Sequence, residues 1–320
     1  MEAKSRLSLT LLGALAPIVW GSTYIVTTEL LPAGHPMTAA TLRALPAGLL
    51  LILITRARPR QWGRLLILSA LNIGAFFPLL FIAAYRLPGG LAAVVGAAQP
   101  FIVALAVWAF FRRRTPSRQL GWAAVAVFGV TLAMVTGTTT LDLVGVVAAL
   151  AGTASMAIGI TLTRAWGPTD GLTGLASTGW QLLLGGLMIA PLIPLFDRGP
   201  FVLTSAAVVG YLWLSVVGGA FAYAVWFHAA RRLPATSVSL LGVLSPITAA
   251  LLGWAILGQA LGGLQIIGFA LALTASVLGQ RMPRQEPGAR TTTATPAGRH
   301  PAHPPLPQRP GTPPTRKDAA

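Results

Sequence analysis

Polar side chains that lie inside long apolar runs are the residues of this sequence best suited to do chemistry. Arg43 lies about seven residues into the run 36–54. A charge at that depth in a membrane costs a few kcal/mol, so it must face the protein interior, a cavity or a partner. A guanidinium held there binds a carboxylate or another anion. The position predicts a substrate contact, or a structural role through an ion pair with Glu29 or by reaching the membrane interface.

A second group of candidates lies in the run 7–28, in the segment Trp20-Gly21-Ser22-Thr23-Tyr24. Trp20 and Tyr24 are four residues apart and share a helical face. Ser22 and Thr23 add hydroxyls, and Gly21 permits close approach of another helix. The segment predicts either one wall of a substrate cavity or helix packing by small residues with aromatic filler.

Four neutral polar residues within apolar runs are further predicted substrate contacts: Asn72, Gln99, Gln181 and Ser245. Gln99 and Ser245 directly precede Pro100 and Pro246, and a proline inside a helix removes one hydrogen bond and frees a nearby carbonyl. We predict gating roles for both prolines, with a kink that serves packing alone as the alternative. Trp180, beside Gln181, is predicted to face the cavity. Glu29 is the carboxylate candidate for ion coupling.

Several kinds of chemistry are disfavoured by the residues present. The chain has no cysteine, its four histidines are dispersed, and its only lysines are Lys4 and Lys317. A GxxxxGK[ST] phosphate-binding loop is therefore missing, and no nucleophile–base pair or cluster of metal ligands is apparent. We predict that the protein is not an enzyme and uses no cofactor or metal.

The elements that must position these residues are membrane helices. The chain is 54% hydrophobic and 9% charged, with a mean hydropathy of +0.72, whereas a soluble domain carries about 25% charged residues. An apolar run of about 17–25 residues crosses a bilayer core as a helix. Ten runs of roughly that length predict an all-α polytopic membrane protein: 7–28, 36–54, 65–85, 91–111, 119–136, 143–162, 172–195, 206–228, 235–257 and 262–280.

The ten runs divide into two related halves. Residues 81–111 match residues 227–257 at 12 of 31 positions without a gap, including Arg-Leu-Pro at 86–88 and 232–234. Arg43 and Gly48 correspond in the same way to Gln181 and Gly186. Because each half has an odd number of crossings, the second half enters the membrane from the opposite side. The sequence thus predicts inverted repeats, 7–136 and 143–280, of the kind that surround transport sites.

Charge distribution predicts the orientation of the chain. With both termini in the cytoplasm, thirteen Lys and Arg residues at positions up to 280 lie in cytoplasmic segments and two lie outside, which satisfies the positive-inside rule. The net charge of +16 therefore describes orientation and does not indicate a nucleic-acid partner. Residues 283–320 hold ten of the 25 prolines and predict a disordered cytoplasmic tail.

These pieces together resemble the EamA-like ten-helix carriers of the drug/metabolite transporter superfamily. The resemblance rests on Trp20-Gly21-Ser22-Thr23-Tyr24, Arg43 and the two Arg-Leu-Pro joints, each followed twelve residues later by a proline. It covers residues 8–280 and implies a central cavity and secondary export of small metabolites, amino acids or drugs. The family often has an acidic residue just after the fourth helix of each half. Here those places hold Arg112-Arg113-Arg114 and Gln259, so no role is transferred to them.

The sequence therefore predicts a secondary-active exporter that works by alternating access. Its predicted partners are a small-molecule substrate and the lipid bilayer, with a homodimer left open. Its predicted location is a bacterial cytoplasmic membrane, crossed many times. A channel-like passive facilitator is the main alternative, and a membrane scaffold or sensor without transport is the other.

Overall fold

The chain folds into helices, in agreement with the predicted class. The computed structural model describes residues 2–88, 117–135, 142–167, 171–230, 244–259 and 261–280, together with positions 92, 95, 102, 105, 108, 112, 232, 233, 241 and 242. Within those residues there is no strand. All of them belong to one unit, Met1–Met282. The predicted tail, 283–320, lies outside the described residues.

Six helical stretches are long and apolar enough to cross a membrane, and shorter apolar helices accompany them. We number the helical stretches in chain order: α1 (Leu7–Leu30), α2 (Pro36–Thr55), α3 (Trp62–Arg86), α4 (Ser117–Val135), α5 (Leu143–Trp166), α6 (Gly174–Phe196), α7 (Ser205–Ala229), α8 (Leu244–Leu257) and α9 (Gly263–Gln280). The six long spans are α1, α2, α3, α5, α6 and α7. They match six of the predicted runs to within three residues at either end.

The other four predicted crossings are covered less completely. Helices α4 and α9 match the runs 119–136 and 262–280, and α8 covers the second part of 235–257. The run 91–111 lies largely outside the described residues. The structure therefore supports a polytopic membrane protein with six long spans, while ten crossings remain a prediction.

Four of the spans are interrupted along their length. Their constituent segments are Glu2–Gly21 and Thr23–Leu30 in α1; Trp62–Ser69, Ala70–Ala75 and Phe76–Arg86 in α3; Gly174–Ile189, Ala190–Leu192 and Ile193–Phe196 in α6; and Ser205–Leu212, Trp213–Phe221 and Ala222–Ala230 in α7. Residues 190–192 form a 3₁₀ turn that contains Pro191, and Pro194 lies in the short helix that follows. The segments Ala70–Ala75 and Trp213–Phe221 are π-helical, a rare form that is frequent at functional sites.

The two π-helical segments occupy corresponding places in α3 and α7. Carrying the match of Phe81 with Phe227 back along the chain without a gap pairs Ser69 with Ser215. The same register sets 70–75 opposite 216–221, within the second π-helical segment. Ser69 and Ser215 are both buried. Each half of the chain therefore widens the same helix at the same point.

Helices α2 and α6 cross at a contact that glycine makes possible. A Cβ atom on Gly48 would lie 2.5 Å from the backbone nitrogen of Leu183, and one on Gly186 would lie 2.6 Å from Cδ2 of Leu45. The contact is reciprocal, because the register that pairs 48 with 186 also pairs 45 with 183. Such close approach is typical of small residues at membrane helix crossings, and the core surrounding it includes Ala44, Leu51 and Leu182.

One end of the helix bundle, which we call the Asp197 end, is closed by contacts between loops. Both carboxylate oxygens of Asp197 accept bonds at the start of α2: the backbone N–H groups of Met37 and Thr38 and the hydroxyl of Thr38 donate at 2.6–2.9 Å. Proline at the first helical position there has no N–H to satisfy. Tyr85 donates to the carbonyl of Pro32. These bonds fix the start of α2, the helix that carries Arg43.

Candidate functional site

Arg43 is buried at the centre of the described helices. Its side chain is only 4% exposed, and Nη1 donates to Oγ1 of Thr23 at 2.9 Å. The guanidinium carbon lies 5.0 Å from the ring centre of Phe77 and 6.0 Å from that of Phe81. Its Nε has no hydrogen-bond partner. The cation is therefore held by one hydroxyl and two aromatic faces.

The alternative structural reading of Arg43, an ion pair with Glu29, is wrong for the described structure. Glu29 is exposed at the end of α1, and the two ion pairs among the described residues join other groups. Arg43 is instead held inside the protein by Thr23, Phe77 and Phe81. These contacts are compatible with a structural role, and the predicted contact with a substrate stays a prediction.

Thr23, which reaches Arg43, follows a turn in α1. Ser22 lies in the turn between the two helices of α1, where its Oγ donates to the carbonyl of Val19 and accepts from Nε1 of Trp213. A Cβ on Gly21 would lie 2.5 Å from the carbonyl oxygen of Ser245, so α1 and α8 touch through their backbones. The predicted close approach at Gly21 is confirmed. Ser22 and Thr23 both bond to other helices.

Trp20 extends this group toward α7. Its indole N–H donates to the carbonyl of Gly218 at 2.9 Å, inside the π-helical segment of α7. Its ring lies 5.2 Å from that of Tyr223 and 5.4 Å from that of Trp226. Tyr223 is also within electrostatic range of Arg43. The aromatic rings and the guanidinium thus form one continuous group.

Tyr24 packs on a different set of neighbours from Trp20, although four residues separate them. It lies against a buried cluster that includes Ala83 and Ala272, while Trp20 lies on α7. The phenol of Tyr24 is still within electrostatic range of Arg43. Helical hydrogen bonds continue through Ser22, from its N–H to the carbonyl of Ile18 and from the N–H of Val26 to its own carbonyl, so Trp20 and Tyr24 lie on one helical stretch and reach different neighbours from it.

Asn72 and Gln181 form a second polar contact, between α3 and α6. Nδ2 of Asn72 donates to Oε1 of Gln181 at 2.8 Å, and Nε2 of Gln181 donates to Oγ of Ser177 at 3.0 Å. Oδ1 of Asn72 is buried without a hydrogen-bond partner. In the same π-helical segment, the carbonyl of Leu71 accepts from Oγ of Ser155 on α5 at 2.7 Å. Asn72 and Gln181, both predicted as polar contacts, therefore bind each other across the interface between α3 and α6.

The remaining predicted residues contact the other end of α2, lie beside Gly21 at the start of α8, or fall outside the described residues. Nε1 of Trp180 donates to the carbonyl of Ala57 at 2.8 Å, and its ring packs edge-on against Trp62, so its contacts are with the loop after α2. Ser245 and Pro246 are half-buried at the start of α8. Gln99 and Pro100 lie outside the described residues.

The side chain of Asp197, at the C-terminal end of α6, is buried, and the sequence analysis did not identify it. Its side chain is 5% exposed, and Oδ2 lies 3.8 Å from Nδ1 of His35. Both residues line a cavity of about 510 Å³ together with Thr38, Thr41 and Phe201. The sequence gives little indication that Asp197 is structurally important, because the residues it contacts, at 35–38, are about 160 positions away in the chain. Gly218 and Tyr223 were also missed, and extending the repeat upstream of Phe81 and Phe227 would have drawn attention to them.

Metal chemistry finds no support in the described part of the chain. No group of three or more histidine or acidic side chains there is arranged to hold a metal ion. What the centre offers is one buried cation, aromatic faces and hydroxyl and amide groups. Such a set binds and orients a small molecule.

Known proteins are similar to this chain in sequence and in fold. The family model of the EamA-like transporter family matches residues 7–135 and again 143–279. Protein PecM of Dickeya dadantii is 44% identical over 266 residues, which are 83% of this chain and 90% of PecM. A probable terminal-alkyne amino-acid exporter of Streptantibioticus cattleyicolor is 26% identical over 77% of this chain and 81% of its own length.

A crystal structure with 20% sequence identity shares the fold, with a TM-score of 0.59 over 85% of this chain and 96% of the solved chain. The family and the names of the relatives indicate a transporter rather than an enzyme, and the apolar spans agree with a membrane-embedded protein. The family model spans most of the chain, and the residues on which the resemblance rested lie within it. The chain therefore belongs to the EamA-like transporter family.

Proposed function

We propose that this protein is a secondary-active carrier that exports a small metabolite, amino acid or drug by alternating access. The observation that carries the proposal is the reciprocal crossing of α2 and α6, with Gly48 on Leu183 and Gly186 on Leu45. A contact in which each helix presents the corresponding residues to the other is what a two-fold axis produces. Arg43 and Gln181 lie on these two helices, beside the crossing.

Inversion of the two halves explains how one site would serve both sides of a membrane. Five crossings in each half place the second half upside down relative to the first. Each half can then adopt the conformation of its counterpart, so two states with opposite openings have similar free energies. Substrate and its gradient shift the population between them. The matching π-helical segments of α3 and α7 support this equivalence.

The substrate site of the proposed carrier lies around Arg43. Trp20, Ser22, Thr23 and Arg43 form its described core, with Tyr24 beside it. Asn72 and Gln181 occupy the corresponding place in the other half. Tyr223 of α7 is added to the residues predicted from sequence because it contacts Trp20. Ser245 keeps its predicted role as a substrate contact and Pro246 its predicted gating role beside Gly21, and Gln99 and Pro100 keep the corresponding two roles in the first half.

Export from the cytoplasm is the proposed direction of transport. One relative is named as a probable amino-acid exporter, and the positive-inside distribution of Arg and Lys supports cytoplasmic termini in a bacterial cytoplasmic membrane. Among the described membrane residues no carboxylate is buried. Coupling therefore falls to Glu29, to another group or to exchange of substrates.

Flux through reconstituted protein tests this function. Proteoliposomes containing the full chain would be offered labelled amino acids and small aromatic compounds. A carrier shows saturable uptake that accelerates when unlabelled substrate is present on the far side. Flux that rises linearly with concentration and ignores substrate on the far side would favour the channel-like facilitator. Absence of any flux across a broad panel would favour a scaffold or sensor.

A further inference from the structure

Two contacts in the interior occupy corresponding places in the two halves but are built in opposite ways. Two registers relate the halves: an offset of 138 residues between α2 and α6 pairs Arg43 with Gln181, and an offset of 146 residues between α3 and α7 pairs Asn72 with Gly218. In one half Gln181 bonds to Asn72 at 2.8 Å. In the other half Arg43 faces Gly218, where an added Cβ would lie 4.0 Å from Nη2. In one half, the amide of Asn72 therefore contacts the amide of Gln181. In the other half, the guanidinium of Arg43 lies next to Gly218, which has no side chain.

Volume explains why position 218 is glycine. A methyl group there would just touch the guanidinium, so a side chain of asparagine size would occupy the space of Arg43. A second pair of corresponding contacts, at Gly219 and at Ile73, also combines a glycine in one helix with a larger side chain in the other. A Cβ on Gly219 would lie 2.5 Å from Cβ of Ala47, and one on Gly185 would lie 2.5 Å from Cβ of Ile73. In the contact between α2 and α7 the larger side chain is on α2, and in the corresponding contact between α6 and α3 it is on α3. The distance from the added Cβ to its neighbour is 2.5 Å in both contacts.

The contacts at Arg43 and at its counterpart in the other half are matched in side-chain volume, but they differ in charge. Arg43 is the one buried Arg or Lys side chain among the described residues. The described carboxylates are used elsewhere or exposed: Asp197 bonds to the start of α2, Asp142 bonds to Arg86, and Glu29 lies at the surface. A buried charge without a partner is strongly unfavourable. The side chain is therefore suited to an anion that binds and leaves.

We propose that Arg43, in the space opened by Gly218, is the anion subsite of the carrier, and that its substrate is a small monoanion with a carboxylate and a flat apolar body. This inference deepens the proposed function and rests on it. A planar guanidinium matches a carboxylate. One cation balances one charge, which disfavours a phosphate dianion. The rings of Trp20 and Tyr223, whose centres lie 5.2 Å apart, supply an aromatic surface for a flat apolar group.

The role of Arg43 as the anion subsite is tested by replacing Arg43 and Gly218 with the residues at the corresponding positions of the other half, Gln181 and Asn72. The double variant R43Q/G218N copies the Gln181–Asn72 pair into the Arg43 position, so it restores bulk and hydrogen bonding without the charge. R43Q alone leaves space, and G218N alone crowds the guanidinium, so both should melt below wild type. The control A47G/G219A moves one methyl group across the same helix pair and changes no charge.

Binding is measured by ligand-induced shifts of the melting temperature of the solubilised full chain. The probes are 2-naphthoate, its neutral isostere 2-naphthamide and the dianion 2-naphthyl phosphate. Wild type and A47G/G219A should bind 2-naphthoate at least tenfold more tightly than either other probe, as expected for a hydrogen-bonded charge of about 1.5–3 kcal/mol. R43Q/G218N should melt near wild type and bind naphthoate and naphthamide equally.

Each contrary outcome is distinct from failure of the proposed function. An unchanged preference for naphthoate in R43Q/G218N would overturn the assignment of Arg43. No response of wild type to naphthoate, or tighter binding of the phosphate, would overturn the substrate class. Selective naphthoate binding by wild type without saturable flux in proteoliposomes would leave the anion subsite in place and refute the carrier.

Discussion

At the scale of single residues, Arg43 shows how far a sequence reading reaches. A guanidinium inside an apolar run had three predicted roles, and its contacts exclude one of them, the ion pair with Glu29. It bonds to Thr23 and packs on Phe77 and Phe81, away from Glu29. The run predicted its depth because hydropathy is a local property. Its partners on α1 and α3 are set by tertiary packing, which local sequence does not encode.

Asp142 leads to a prediction about pH. It begins α5, where it accepts from the backbone N–H of Gly145 and from Arg86, and these two hydrogen bonds lower the pKa of its carboxyl below the ordinary value of 3.8. A lowered pKa stabilises the folded state above the ordinary value, and that contribution is lost as pH falls through the lowered pKa. Wild type should therefore melt above D142N at neutral pH.

The difference in melting temperature between wild type and D142N should shrink as the pH is lowered below 3.8. The measurement is thermal unfolding of both solubilised proteins between pH 3 and 7. A gap of constant size over the whole range would contradict the role given to the ionised carboxylate.

Asp197 is a residue whose importance only the fold reveals. D197N would keep its shape but turn an amide N–H₂ toward N–H donors at the start of α2. We expect a loss of about 1–2 kcal/mol in the free energy of unfolding, measured in mixed detergent micelles. E29Q removes an exposed charge of the same kind and should change stability by less than about 0.5 kcal/mol. Equal effects of the two variants would refute the cap.

At the scale of elements, the ends of the six long spans were predictable from sequence and their interruptions were not. Hydropathy located each span to within three residues. The π-helical segments of α3 and α7 contain no proline and carry no local signal, although their places correspond. The different neighbours of Trp20 and Tyr24, one on α7 and the other in the cluster with Ala83 and Ala272, likewise depend on tertiary packing.

The crossing of α2 and α6 predicts a sharp difference between two glycines. G48A would push a methyl group to 2.5 Å from the backbone of Leu183, whereas G63A places it where nothing lies within 4 Å. Backbone cannot move aside cheaply, so G48A should lower the free energy of unfolding by about 1–3 kcal/mol. G63A, inside a helix, should be neutral or stabilising. Equal stability of the two variants would show that this crossing is looser than described.

At the scale of the whole molecule, the two halves share a pattern of helix contacts, and inside the bundle they differ in charge at Arg43 and its counterpart Gln181. The corresponding contacts Gly48–Leu183 and Gly186–Leu45 represent the shared plan. Arg43 against Gln181 represents the difference. The repeat was visible in the sequence because its joints contain Arg, Pro and Trp. The compensating exchange between 72 and 218 was visible only when the contacts with 181 and 43 were known.

Inverted halves around one site are the central claim, and the side of the membrane on which the two Arg-Leu-Pro joints lie tests it most directly. The chain has no cysteine, so the single-cysteine variants R86C and R232C can be labelled with a membrane-impermeant maleimide without background. In intact cells R86C should be labelled, and R232C should react only after the membrane is permeabilised. Labelling of both variants from the same side would contradict the inversion and with it the proposed route of transport.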